Sequence, residues 1–349
     1  GALGCPLRAP SVHYLSTEFV DEVERAGLSR RSTIHEVEPY VIRARGAQRD
    51  CPRDRRRGAA FVDVLDGPDR AGSATMMLSY TWGYTVGEIA DALVAYCQQH
   101  GLDPKRTYVW MCCLCINQHR VQDSVAHGET VSFAEFSAEF GTRVKNIGHV
   151  LALMGSWERP AYITRAWCIY ELFVAISTGC NLDIIMPPEQ NQDLLRSIVD
   201  GDVLLQTVWL ALESVDVRNA AASVASDLEN IIAQVEQGPG CMHLNMTVRK
   251  KLKSWFVCAA ERALSDLLER SKSDPSLRRT LDQGYFRTTR LMIDCGEEER
   301  ALRLASEYHD DLCAAGEGHT RNAAAILSLK GKAQVCLADA EGAEASLDK

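Results

Sequence analysis

The strongest constraint on this chain lies between residues 75 and 186, where four short apolar runs alternate with segments of helical period. Thr75–Tyr80 (TMMLSY), Tyr108–Ile116 (YVWMCCLCI), Ile147–Met154 and Leu182–Met186 lack the polar alternation of a half-exposed strand. Runs of that kind fit strands covered on both faces. Between the first two, Thr85 and Glu88 have capping-box spacing and open a helix carrying Ile89, Leu93, Tyr96 and Cys97, with His100-Gly101 as its stop. A polar loop and a helix from about Phe133 to Asn146 lead to the third run. Ala166–Ser177, closed by Gly179, leads to the fourth, which Pro187-Pro188 ends. Strand–helix alternation with short connections predicts a parallel, doubly wound α/β sheet.

The flanks read differently. In residues 1–73, Tyr40–Arg43 and Phe61–Val64 are expected as short strands around a basic, turn-rich loop, Cys51–Gly58, forming a lead-in layer on the next domain. After Pro188 helices are expected over Asp193–Ser214, Ala220–Gln237 and Val248–Ser271, with Val215–Val217 as a short edge strand. From Asp274 onward, helical stretches over 276–295, 297–315 and 319–337 precede a fresh start at Gly342. Turns every twenty residues or so suit a helix-pair repeat. Segment 318–333 (GHTRNAAAILSLKGKA) resembles kinesin-light-chain-type tetratricopeptide repeats over one to two repeats, which implies a surface that binds a protein partner. The expected organisation is therefore 1–73, an α/β domain over 74–240, a connecting helix over 241–273, and an all-α repeat region over 274–349. A first residue other than methionine and a repeat cut off at Lys349 imply a piece of a longer chain.

Composition excludes several classes. A formal net charge of −9 argues against wrapping nucleic acid, whose phosphates want a basic surface. No run reaches the roughly 18 apolar residues of a membrane span; Ala166–Ile176 is shorter and carries Glu171. The 13 cysteines sit mostly inside apolar runs, as do Cys97, Cys112, Cys113, Cys115, Cys168 and Cys258. Free buried thiols in a reducing, cytoplasmic compartment are expected rather than disulfides.

Three segments bear on chemistry: LSYTWG at 78–83, VWMCCLCINQ at 109–118, and RAWCIYEL at 165–172. Glu171 is the one carboxylate in an otherwise apolar helix, sharing a face with Trp167 and Cys168. Buried without a partner it would be unfavourable and would hold its proton more tightly. It is therefore either paired with Arg165, Arg143 or Lys145, or kept for use. Ser79, Tyr80, Thr81, Trp82 and Gly83 sit where open α/β sheets bind ligands, beyond the carboxyl ends of the strands. There Trp82 offers a flat face to a base or nicotinamide and Gly83 lets a ligand approach the backbone, or Tyr80 and Trp82 simply plug the sheet. Asn117 and Gln118 either donate to a ribose or phosphate or cap the following loop. In a strand, Cys113 and Cys115 face one side and Cys112 the other, which disfavours zinc. A thiol nucleophile with His119 or His127 as base is a weaker alternative to core packing. Arg55–Arg57 reads as a solvated loop, or as a contact for an acidic partner.

The first two segments resemble the signatures of fungal heterokaryon-incompatibility (HET) domains, LSYxWG and WIDxLCINQ, and the third resembles the WCxxEL segment of plant TIR domains. In register over about a third of the chain, they make it similar to the TIR-like superfamily, which implies a flavodoxin-like sheet. The same resemblance implies cleavage of NAD as substrate, with Glu171 catalytic, Ser79–Gly83, Asn117, Gln118 and Trp167 as binding residues, no resident cofactor or metal, and self-association to complete the site. The alternative it allows is a non-catalytic assembly module. The chain departs from the HET pattern at Cys112, where that pattern has aspartate. It departs from plant TIR domains in having Thr81-Trp82 where they have arginine.

Overall fold

The computed structural model describes residues 7–127, 133–156, 160–200, 210–222 and 225–337. The chain divides into two compact units, one of residues 1–190 with 215–248 and one of 191–214 with 249–349.

The first unit is built on a four-stranded parallel sheet. After a short antiparallel pair, β1 (Arg8–Pro10) with β2 (Ala71–Ser73), the chain enters β3 (Met76–Ser79), β4 (Val109–Trp110), β5 (His149–Leu153) and β6 (Asn181–Ile185). The spatial order is β4-β3-β5-β6, with Met77 opposite Trp110 on one side and Val150 on the other. All of β3 is buried, as its unbroken apolar run required. The chain runs from β3 outward to β4, then crosses back past β3 to β5, so the order reverses at the β3–β5 pair. Right-handed crossovers then put the Val86–Gln99 helix on one face and the Phe133–Ile147 and Ala166–Ser177 helices on the other. The latter two pack side by side over β3 and β5, with Ala225–Glu236 against both.

Helix ends follow the residues that signalled them. Thr85 and Glu88 form a reciprocal capping box, and Gly101 and Gly179 take up positive φ just past the helices they close.

Four expectations fail. The strand read over 108–116 stops at Trp110, and Cys112–Cys115 is a single helical turn. β4 is an edge strand whose ladder to β3 ends at the Met77–Trp110 pair, and periodicity alone does not separate a short buried helix from a strand. The polar loop after it contains a helix, Gln118–Ala126. Neither N-terminal strand forms: Glu38–Ile42 is a π-helical turn with Pro39 in its first turn, following the capped Ile34–Val37 helix, and Phe61–Val64 is a 3₁₀ turn. Val217–Asn219 is also a 3₁₀ turn, capped by Asp216, with a parallel bridge nearby from Arg165 to Ala221. The expected 1–73 layer belongs to the same compact unit as the sheet. Its Thr33 pairs with Thr85, and Arg8 donates to the carbonyls of Val62 and Leu65.

The described residues of the second unit form helices joined by turns. Arg278–Asp294, Glu298–Ala314 and Arg321–Cys336 pack as consecutive hairpins, with the Tyr285 ring stacked on Tyr308 at 4.1 Å. Gly296 and Gly316, both at φ +78°, make the turns. The expected start at Gly342 lies outside the described residues. No helix among the described residues is long and apolar enough to cross a membrane.

Candidate functional site

Ser79 is the last residue of β3, at the carboxyl edge of the sheet beside the point where strand order reverses. Beyond it the chain turns sharply: the Tyr84 amide donates to the Thr81 carbonyl, and the Gly83 amide donates to Thr81 Oγ1. The Ile34–Val37 segment clamps this turn from outside, Ile34 N–H to Tyr84 and His35 N–H to the Trp82 carbonyl. A crevice at such a reversal is where open α/β sheets bind ligands.

Opposite Ser79 stands Glu171, on the helix that follows β5. The Ser79 hydroxyl donates to Glu171 Oε2, and Tyr162 Oη lies 2.6 Å from Ser79 Oγ. Tyr162, fully buried on the Ala161–Thr164 turn, also reaches the Cys168 carbonyl at 3.3 Å. Among the described residues Glu171 forms no ion pair, so pairing with Arg165, Arg143 or Lys145 is not the arrangement found. The Arg143 guanidinium instead lies 4.6 Å from the Trp110 ring centre. Burial pushes the Glu171 carboxyl up to about 7, opposed only by the Ser79 hydrogen bond. The residue as a whole is of intermediate exposure, while its carboxyl is desolvated.

A second layer surrounds this pair. The Trp82 indole N–H donates to Cys112 Sγ at 3.3 Å, the Cys112 thiol reaches Tyr80 Oη at 3.6 Å, and the Cys168 thiol donates to the Tyr80 carbonyl. The His35 ring lies 5.5 Å from that of Trp82. Burial holds the Cys112 thiol above its ordinary value, with the Glu171 charge adding to it. It lifts Cys168, Cys113 and the Tyr80 and Tyr162 hydroxyls further, and Cys115 to about 12. A nucleophilic thiolate does not fit such surroundings. His119 is held by the Arg43 carbonyl and His127 by that of Asp123. No cluster of three metal-ligating side chains occurs among the described residues. The described cysteines are all free; Cys97, Cys113, Cys115 and Cys168 are buried, whereas Cys258, expected in the core, is exposed.

The remaining expected residues divide. Ser79, Tyr80 and Trp82 join Glu171 in one constellation, and Thr81 shapes the turn. Gly83 is exposed, and a Cβ there would meet only Thr81 Oγ1 at 3.7 Å, so the turn does not require glycine. Asn117 is buried, its amide donating to the Gly58 carbonyl and its oxygen accepting from His119 N–H. Gln118 donates to the Cys112 and Ile116 carbonyls. Both serve the chain's own loops, the second of the two roles their position allowed. Trp167 donates from its indole to Asp227 at 2.9 Å, on the Ala225–Glu236 helix. Arg56 and Arg57 of the basic loop are paired with Asp123 and Asp50, which leaves less charge for an acidic partner. Tyr162 and His35 lie in no sequence motif, and only the fold brings them to the β3 turn.

No family model matches the chain, and neither curated proteins nor solved structures give a match.

Proposed function

We propose that the first unit is a TIR-like, flavodoxin-like signalling domain that cleaves NAD at the nicotinamide–ribose bond, with Glu171 as the reacting carboxylate. The observation that carries this reading is a desolvated carboxylate with no cationic partner among the described residues, at the carboxyl edge of a parallel sheet, tied only to a serine hydroxyl. A strand order that reverses at β3–β5 supports the flavodoxin-like comparison. In the reaction the N-glycosidic bond breaks with its electron pair leaving on nicotinamide. Positive charge develops at the ribose C1′, and water adds there to give ADP-ribose and a proton. An ionised Glu171 stabilises that charge, and it does so more strongly for being poorly hydrated beforehand. Free buried thiols are consistent with a reducing, cytoplasmic setting. The helical hairpins supply a surface for a protein partner in the manner of tetratricopeptide repeats, and self-association of the first unit completes its site.

A second reading has its own support. The Trp82 indole is tied to Cys112 and faced by His35, and Asn117 and Gln118 are engaged with the backbone. Those contacts favour a non-catalytic assembly module. Incubating the full chain with NAD over rising protein concentration separates the two. Nicotinamide release by the wild type and its loss in Glu171→Gln supports the enzyme; no release at any concentration, or equal release by the variant, supports the module.

A further inference from the structure

Four oxygen atoms in this unit form a line: the Glu171 carboxylate, Ser79 Oγ, Tyr162 Oη and the Cys168 carbonyl. A serine and a tyrosine hydroxyl each carry one proton, so with Glu171 Oε2 either bare or protonated the line has one self-consistent arrangement in each case. With Glu171 ionised, Tyr162 donates to Ser79 and Ser79 donates to the carboxylate. With Glu171 protonated, the acid donates to Ser79, Ser79 donates to Tyr162, and Tyr162 turns to the Cys168 carbonyl at 3.3 Å. Every hydroxyl is satisfied in both states, and the only proton exchanged with solvent is the one Glu171 gains or loses.

We infer that Tyr162 is a positioning residue: through the Ser79 hydroxyl it holds the Glu171 carboxylate in place and anchors a hydrogen-bond line that reverses direction when Glu171 is protonated. Tyr162 is suited to this because it is fully buried on a short turn, while its hydroxyl has an alternative acceptor within reach. Charged and titratable groups on the elements packed against this helix are engaged elsewhere or neutral. Asp227 accepts from Trp167, Asp183 on β6 accepts from Tyr96 and His149, Arg143 lies over Trp110, and the Cys112, Cys168 and Tyr84 side chains keep their protons. The Arg165 charge acts on Cys168.

The inference rests on Glu171 as the reacting group, yet its test does not use NAD. Full-length chain labelled with ¹³C at glutamate Cδ is titrated by NMR from pH 4 to 9, and the Glu171 signal is the one lost in Glu171→Gln. Its midpoint is expected near 7. Ser79→Ala removes a donor to a charged acceptor and raises the midpoint by about 1 to 2 pH units. Tyr162→Phe removes the donor that polarises Ser79 in the ionised arrangement and the acceptor that Ser79 uses in the protonated one, and moves the midpoint by less than Ser79→Ala does. The deciding result is the double variant: because Tyr162 acts through Ser79, Tyr162→Phe adds nothing once Ser79 is alanine. An unmoved midpoint in Tyr162→Phe, or a shift that adds fully in the double variant, overturns the inference. A shift that behaves as stated in a chain that releases no nicotinamide overturns the proposed activity and leaves the hydrogen-bond line standing.

Discussion

Replacing Glu171 with glutamine should make the protein more stable, and only at higher pH. The carboxyl is raised by burial from its ordinary value of 4.5 to about 7 in the folded chain. Below pH 4.5 it is neutral in both folded and unfolded states and contributes no pH dependence. Between 4.5 and 7 the unfolded chain releases the proton while the folded chain keeps it, so the folded state loses ground as pH rises. Above 7 the penalty is complete, about 3 kcal/mol at about 1.4 kcal/mol per pH unit. Glutamine keeps the shape and the ability to accept from Ser79 but never ionises. Glu171→Gln should therefore match the wild type near pH 4.5 and exceed it by up to about 3 kcal/mol at pH 8. Hydrogen exchange of peptides covering β3 and β5 reads this for the first unit alone, comparing variant with wild type at each pH. Lower protection of the variant at pH 8, or an equal difference at both pH values, would refute the reasoning by showing a carboxylate that the fold stabilises. Gaining stability while losing activity is the pattern expected of a group held for chemistry.

Two other substitutions test the surroundings of the site. Gly155→Ala places a Cβ 2.4 Å from the Tyr84 ring beside the β3 turn, and should lower stability in thermal unfolding by about 1–3 kcal/mol; an unchanged midpoint would mean the two do not pack as described. Asn117→Ala strands the Gly58 carbonyl and the His119 amide and should destabilise by about 1–3 kcal/mol without raising the KM for NAD, whereas a raised KM at unchanged stability would restore Asn117 to ligand binding.

What the sequence disclosed about this fold depended on how locally each feature is determined. The Thr85–Glu88 box, Gly101 and Gly179 fix helix ends through contacts within a few residues, and these ends fall where expected. The runs at 76–79 and 149–153 could only be buried parallel strands once helices flanked them. The CCLC turn departs from the expected strand because whether a short apolar run pairs is decided by its neighbour, and the ladder to β3 ends at Trp110. Glu171 stood out as the single charge in an apolar helix, and LSYTWG placed Ser79 at a strand end. Tyr162 was invisible. Its hydroxyl meets Ser79 from 83 residues away, and no spacing rule spans a sheet and two crossovers.

The most direct measurement is the pH dependence of nicotinamide release from NAD under conditions that favour self-association. On the proposed mechanism the ionised carboxylate stabilises the ribosyl cation, so the rate should rise with pH along a single ionisation near 7, and the rise should vanish in Glu171→Gln. Release that is flat across pH 5 to 9, or that persists in the variant, would contradict a catalytic Glu171.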